Sequence, residues 1–99
     1  LPYLRAFDSR EMQTQTTYIS IQVAISGQEL HVEGTTKGLV KIRDIEKQGE
    51  CMMIISTGFT ERVQSISYSS DKNVMLIGSR DGKFRAYKVP NEWRMDWVE

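Results

Sequence analysis

Hydrophobic and polar residues alternate along several short stretches of the chain, which is the pattern of half-buried β-strands. Residues 18–26 show it most clearly, with Ile19 and Ile21 on one side and Ser20 on the other. Segments rich in Gly, Ser, Asp and Asn separate the stretches and predict tight turns. The chain is therefore predicted to be all-β, with strands at residues 18–26, 30–33, 39–45, 51–56, 63–68, 74–78 and 83–89.

The remaining segments give weaker signals. Residues 2–8 alternate briefly and are interpreted as the end of a strand, whereas residues 9–17 lack an apolar face and are interpreted as an edge or loop. The only helix-tolerant window, residues 44–50, is short. The continuous apolar run at residues 51–56 predicts a strand buried on both faces, and residues 93–99 alternate as a further strand.

Two glycine-bounded turn motifs recur at a fixed spacing. The glycines of IGSRDG lie 44 residues after those of EGTTKG, so that Gly78 and Gly82 follow Gly34 and Gly38. Overlaying the chain on itself at this offset, without a gap, aligns Ile19 with Val63, Ser26 with Ser70, Val40 with Phe84 and Ile45 with Val89. A unit that repeats every 40 to 45 residues or so is typical of propeller blades. The sequence therefore predicts antiparallel four-stranded blades that form part of a larger β-propeller.

The repeated motifs resemble those of the WD-repeat β-propeller family over residues 2–99. Ser79-Arg80-Asp81-Gly82 keeps the family's Ser-x-Asp-Gly turn, and Gly58-Phe59 stands where a blade of the family opens with Gly-His. The Trp-Asp that ends the family's third strand is replaced by Phe7-Asp8, Arg43-Asp44 and Tyr87-Lys88. The resemblance implies the end of a preceding blade at residues 1–17, blade one at 18–57 and blade two at 58–99.

The resemblance also implies structural roles for residues at turns and strand ends: Gly34, Gly38, Gly58, Gly78, Asp81, Gly82 and Tyr87. Blades of the family bury a polar network, whose matching positions here hold Phe59, Ile77, Asp81 and Tyr87. Because an unpaired buried polar group costs about 1–3 kcal/mol, we expect Asp81 to bond to Tyr87 or to backbone amides of its own turn. We expect Phe59 and Ile77 to pack together.

Two blades and the end of a third cannot close a ring, since propellers have about 4 to 8 blades. The expected partners are therefore the remaining blades of the same propeller or neighbouring chains, and other proteins of a multi-subunit assembly. The resemblance implies a non-catalytic protein–protein interaction scaffold that presents rim loops to its partners. It places residues 36–37, 59–62 and 79–80 on one rim and residues 28–29, 47–48 and 72–73 on the other, with Lys37, Phe59, Glu61, Arg62 and Arg80 as candidate partner contacts.

Two alternatives stay open at this point. The chain could be an accessory propeller domain of a larger enzyme or membrane-trafficking protein, in which it recruits or gates. It could instead be an unrelated small β-sandwich of seven or eight strands, which fits the strand count but not the overlay.

Composition narrows the classes of partner. The chain has 99 residues, is 39% hydrophobic and 26% charged, and balances thirteen basic with thirteen acidic residues. This is ordinary globular composition without a global field, so neither nucleic-acid binding nor membrane insertion is expected. Cys51 is the only cysteine, cannot form an internal disulfide and is interpreted as a buried inert thiol. An intracellular, cytoplasmic location is expected.

Residues that could suggest chemistry have structural interpretations. His31 has no Cys or His partner nearby in sequence, and Asp44, Glu61 and Asp81 belong to strand ends and turns rather than to an evident acid–base set. Residues 35–38 lack the frame of a phosphate-binding loop, and Arg85 lacks the second arginine of a lipid-binding propeller motif. Trp93 and Trp97 are interpreted as packing residues. No catalytic residue, metal or cofactor is expected.

Overall fold

The chain folds into two antiparallel sheets. The structure is a computed structural model, which describes residues 1–4, 14–47 and 51–89. The first sheet contains β1 (Thr17–Ile25), β2 (Gln28–Thr35), β3 (Leu39–Asp44) and β4 (Cys51–Ser56) in that order. The second contains β5 (Val63–Ser69), β6 (Val74–Ser79) and β7 (Phe84–Lys88). The all-β prediction is confirmed. The strand predicted at 93–99 lies outside the described residues.

Between β3 and β4 the chain makes one 3₁₀ turn at Ile45–Lys47, inside the window predicted to tolerate a helix. β4 is buried on both faces, as its continuous apolar sequence predicts, because Met53, Ile54 and Ile55 are each at most 1% exposed. The strands of each sheet are otherwise close to their predicted positions, with β2 extended at both ends.

The two sheets open with hairpins of different length. Ile25 pairs with Gln28, so β1 and β2 are joined by Ser26 and Gly27 alone, whose φ angles of 51° and 78° are those of a type I′ turn. Ser69 pairs with Val74, which leaves four residues in the turn between β5 and β6. The second hairpin therefore needs two more residues than the first.

This difference corrects the gapless overlay. The pairing of β2 with β3 repeats at the predicted offset in β6 and β7: Gly34 faces Val40, and Gly78 faces Phe84. In β1 and β5, however, the residues paired with Thr35 and Ser79 are Thr17 and Val63, which are 46 rather than 44 residues apart. The alignment of Ile19 with Val63 is wrong, and the overlay requires a gap of two residues.

The same irregularity occurs in both sheets. The register shifts between Thr17 and Ile19 in β1, and between Val63 and Ser65 in β5, so that Tyr18 and Gln64 are the extra residues of two β-bulges. The strand opposite each bulge carries Gly34 or Gly78. These bulges mark the same end of both sheets.

The sheets pack face to face through β1 and β2 of the first and β5 of the second. The shared core includes Leu30, Val32, Val40 and Ile42 from the first sheet and Val63, Ile66, Met75, Ile77 and Tyr87 from the second. Phe59 joins this cluster together with Ile77. Direct packing of Phe59 against Ile77 stays a prediction.

The described N-terminal residues lie along β7. Tyr3 forms a parallel bridge with Lys88, the Leu4 amide donates to the Lys88 carbonyl at 2.7 Å, and the Lys88 amide donates to the Pro2 carbonyl at 2.8 Å. Leu4 is buried in the shared core. Residues 2–4 thus cover the edge of the second sheet that β7 forms. The assignment of residues 1–17 to a preceding blade stays a prediction.

Candidate functional site

Two turns and one loop meet at the end of the sheets that carries the bulges. Gly38, with φ of 90°, leaves so little room that a Cβ there would lie 2.6 Å from the Phe59 carbonyl oxygen and 2.9 Å from that of Glu61. On the other side of the loop, the Arg80 amide donates to the Arg62 carbonyl at 3.0 Å. The loop at residues 57–62 is therefore held between the β2–β3 turn and the β6–β7 turn.

We call this end the bulge rim and define it by the residues Tyr18, Lys37, Glu61, Arg62, Gln64 and Arg80. It brings together four of the five candidate contacts, Lys37, Glu61, Arg62 and Arg80, of which all but the half-buried Arg62 are exposed. Phe59 is the exception, because its side chain is only 8% exposed and belongs to the core.

Thr57 fixes the start of the rim loop. Its buried hydroxyl donates to the Gly38 carbonyl at 2.7 Å and accepts the Phe59 amide at 3.1 Å. One side chain thus satisfies two backbone groups that are buried between the turn and the loop. The guanidinium of Arg85 lies 5.4 Å from the centre of the Phe59 ring and covers it from outside.

The two bulge residues hold Arg62 between them. The guanidinium carbon of Arg62 lies 4.3 Å from the centre of the Tyr18 ring, and its Nε donates to Gln64 Oε1 at 2.9 Å. Tyr18 itself is 45% exposed. Sequence analysis missed both Tyr18 and Gln64. The bulge in β5 shifts the alternation by one residue, so that the buried Val63 and Ile66 are three residues apart. Gly34 and Gly78 opposite the bulges were a further signal.

Asp81 bonds within its own turn, which confirms the second of the two expected arrangements. Its Oδ1 accepts the Lys83 amide at 3.3 Å, and Lys83 Nζ lies 3.8 Å from Oδ2 at an exposed position. Tyr87 of β7 is buried in the shared core instead. Burial raises the pKa of its hydroxyl, and the positive charge of Arg85 acts in the opposite direction.

The outer face of the first sheet carries a second polar cluster, around the buried carboxylate of Glu33. Thr17 Oγ1 donates to Glu33 Oε1 and Arg43 Nε donates to Oε2, each at 2.8 Å. Lys41 Nζ lies 3.9 Å from Oε1 and donates to the Gln15 carbonyl at 2.6 Å, and His31 Nδ1 lies 3.6 Å from Oε2. The carboxylate is engaged by donors of its own sheet, so this cluster ties β1, β2 and β3 together.

The acidic residues weighed as an acid–base set do not converge. Asp44 ends β3 at the opposite end of the sheet from Glu61 and Asp81 and accepts the Glu46 amide at 3.0 Å. Among the residues that the structure describes, no group of three or more His, Cys, Asp or Glu side chains could hold a metal ion. The side chains of Cys51, Trp93 and Trp97 lie outside that part of the chain.

No helix within the described ranges is long and apolar enough to cross a membrane. The sequence matches no family model, no curated protein and no solved structure. The proposals on function below are therefore based on the geometry of the bulge rim and of the two outer sheet faces.

Proposed function

We propose that this chain is a non-catalytic protein–protein interaction scaffold, formed by two consecutive units of a WD-repeat-like β-propeller that present the bulge rim to partner proteins. The observation that supports the proposal is that both sheets repeat the same strand pairing and the same β-bulge. Each sheet places a bulge opposite a glycine, and each repeats the pairing of its second and third strands at an offset of 44 residues. An intracellular location suits a scaffold with one cysteine.

The outer face of the second sheet supports a larger stack. By the repeat, Leu76 and Phe84 correspond to Val32 and Val40, which the second sheet buries completely. Leu76 and Phe84 are nevertheless 40% and 59% exposed. We infer that a further antiparallel sheet of the same repeat covers this face, chiefly over β6 and β7, since the matching positions of β5 are serines.

The two outer faces differ in character, which gives the stack a direction. The outer face of the first sheet carries the charged cluster around Glu33. The outer face of the second sheet is apolar at Leu76 and Phe84. Head-to-tail stacking of two copies would place an apolar surface over the Glu33 cluster and bury the partly exposed Arg43 side chain, so this arrangement of two copies is unfavourable.

Protein binding at the bulge rim is tested with one-for-one charge deletions at the two ends of the sheets. The wild-type chain and the variants Arg80→Ala and Lys72→Ala are purified, immobilised and exposed to a cell lysate. The proteins that each chain captures are quantified by mass spectrometry. Each enriched protein is then purified, and its affinity for the three chains is measured. Arg80 is exposed on the rim, and Lys72 is exposed on the β5–β6 turn at the opposite end. We expect Arg80→Ala to weaken saturable binding and Lys72→Ala to leave it unchanged. Equal affinities of all three chains, or no saturable binding, would contradict the proposal.

The propeller part of the proposal has its own test. Light scattering and circular dichroism report the size and folding of the wild-type chain and of Leu76→Ser/Phe84→Ser. If a further sheet normally covers the outer face, the wild-type chain should associate as its concentration rises, and the double variant should associate less. A cooperatively folded monomer at every concentration would instead favour the small β-sandwich.

A further inference from the structure

We infer that Arg62 is a preorganised receptor for a carboxylate, and that the partner bound at the bulge rim contributes an acidic peptide segment whose Asp or Glu side chain pairs with this guanidinium. The inference rests on the proposed function, because it names the chemistry of the partner that the rim would bind.

The guanidinium of Arg62 is held by two contacts before any ligand arrives. Tyr18 supports one of its faces at 4.3 Å, and Gln64 engages Nε at 2.9 Å. Arg has five N–H donors, and the contact with Gln64 uses the one on Nε. The donors on both Nη atoms have no partner within the described residues. Their planar edge matches the two oxygens of a carboxylate.

The anchoring of Arg62 lowers the entropic cost of binding. A long surface side chain normally loses rotamer freedom when it forms an ion pair, which is why exposed pairs are weak. At Arg62 part of that loss occurs on folding, because the stacking partner and the Nε acceptor come from the bulges of two sheets that pack together. Preorganisation of this kind raises affinity without additional contacts.

The surrounding charges favour a carboxylate over a phosphate group. Lys37 and Arg80 are exposed on either side of the rim loop, and within the described chain neither forms an ion pair. Phosphate recognition typically uses a cluster of arginines that converge on one group. Here the Arg85 guanidinium is engaged over the Phe59 ring, and the exposed carboxylate of Glu61 opposes a doubly charged phosphate more than a singly charged carboxylate. A row of singly charged acidic side chains can meet Arg62, Lys37 and Arg80 in turn.

Fluorescence anisotropy with a labelled, end-capped hexaglutamate peptide tests the inference on the whole chain, with hexaglutamine as the uncharged isostere and a phosphoserine peptide as the rival anion. We expect saturable binding of hexaglutamate alone. Arg62→Lys keeps the positive charge but lacks the planar pair of N–H donors that can bind both oxygens of a carboxylate. We therefore expect its affinity for hexaglutamate to fall about tenfold. Gln64→Leu, which releases Nε, should weaken binding as well, and Lys72→Ala should not. Circular dichroism checks that each variant is folded.

The inference is overturned if Arg62→Lys binds hexaglutamate as well as the wild type, if hexaglutamine competes equally, or if the phosphoserine peptide binds and hexaglutamate does not. Failure here is distinguishable from failure of the proposed function. Proteins whose binding is lost in Arg80→Ala while hexaglutamate stays unbound would leave the scaffold proposal standing. Hexaglutamate binding that depends on Arg62, in a chain that captures no protein, would support the carboxylate site and oppose the scaffold.

Discussion

Val63 of β5 lies directly against Gly34 of β2, where the two sheets pack together. A Cβ on Gly34 would fall 2.5 Å from Val63 Cγ1 and 2.6 Å from Val63 Cβ, with Ile19 Cγ2 at 3.0 Å. Real Cβ atoms do not approach carbon this closely. The absence of a side chain at Gly34 therefore sets the distance between the sheets.

Gly34→Ala should force the two sheets apart. Overpacking at a site that cannot yield costs about 1–3 kcal/mol, and we expect the free energy of unfolding in urea to fall by that amount. Gly78→Ala is the matched control, because its Cβ would meet only the Ser65 hydroxyl at 2.4 Å and the Phe84 ring at 2.9 Å, both side-chain ends that can rotate. A larger loss of stability in Gly78→Ala than in Gly34→Ala would contradict this account of the interface.

The sequence alone predicted the strands but not their register in both sheets. Alternation, one continuous apolar run at β4 and turn residues predicted all seven described strands, because the burial of one or both faces of a strand is written in its apolar pattern. The two-residue difference between the hairpins could not be seen, since a shift of two residues keeps every side chain on its own face. The 44-residue overlay was therefore right for β2, β3, β6 and β7 and wrong for β1 and β5.

Thr57→Val should loosen the bulge rim while keeping the shape of the side chain. Loss of the hydroxyl leaves the Gly38 carbonyl and the Phe59 amide buried without their partner, which costs about 1–3 kcal/mol. We expect a lower free energy of unfolding and faster hydrogen exchange of the Phe59 amide. Thr57→Ser keeps the hydroxyl and should retain slow exchange. Equal exchange rates in the two variants would show that the hydroxyl does not fix the loop.

Glu33→Gln should be among the most destabilising substitutions on the outer face of the first sheet. The change leaves Lys41, which is only 3% exposed, and Arg43 beside a neutral amide, whose nitrogen replaces one of the two accepting oxygens. Removing one partner of a buried ion pair typically costs about 3–5 kcal/mol.

The control for that substitution is Glu29→Gln on the same strand. Glu29 is exposed and accepts only a long hydrogen bond of 3.4 Å from Gln22 Nε2, so its loss should change the unfolding free energy by less than about 0.5 kcal/mol. Equal effects of the two substitutions in urea denaturation would mean that the Glu33 cluster contributes no more than a surface charge does.

The site was less predictable than the fold for a related reason. The family resemblance predicted that Lys37, Arg62 and Arg80 share one rim, but the contacts that orient Arg62 come from bulge residues of two different sheets. Such contacts depend on the packing of β1 against β5, which no local pattern encodes. Glu33 was missed because alternation marks it as an outward polar residue, although its neighbours bury it to 7% exposure.

Two tyrosines should make the fold sensitive to alkaline pH. Burial raises the pKa of both Tyr68 and Tyr87 above the ordinary value of 10.0, and Tyr68 also donates to Asn73 Oδ1 at 2.6 Å, a bond that its ionised form cannot make. A raised pKa in the folded state means that the neutral hydroxyl is favoured there. The resulting stability is fully present below the unfolded-state pKa and is lost as the pH rises through the folded-state pKa.

The free energy of unfolding of the wild type should therefore fall as the pH rises above the ordinary tyrosine pKa of about 10, and that of Tyr87→Phe should fall less steeply because it has no hydroxyl to ionise. Lysines titrate in the same range, but they are common to both chains and cancel in the comparison. Tyr68→Phe should likewise flatten the profile, although it starts from a lower stability because the bond to Asn73 is lost. Urea denaturation at each pH, with tyrosinate absorbance followed in parallel, measures both effects. Parallel pH profiles for the wild type and Tyr87→Phe would show that burial of this hydroxyl does not couple folding to its ionisation.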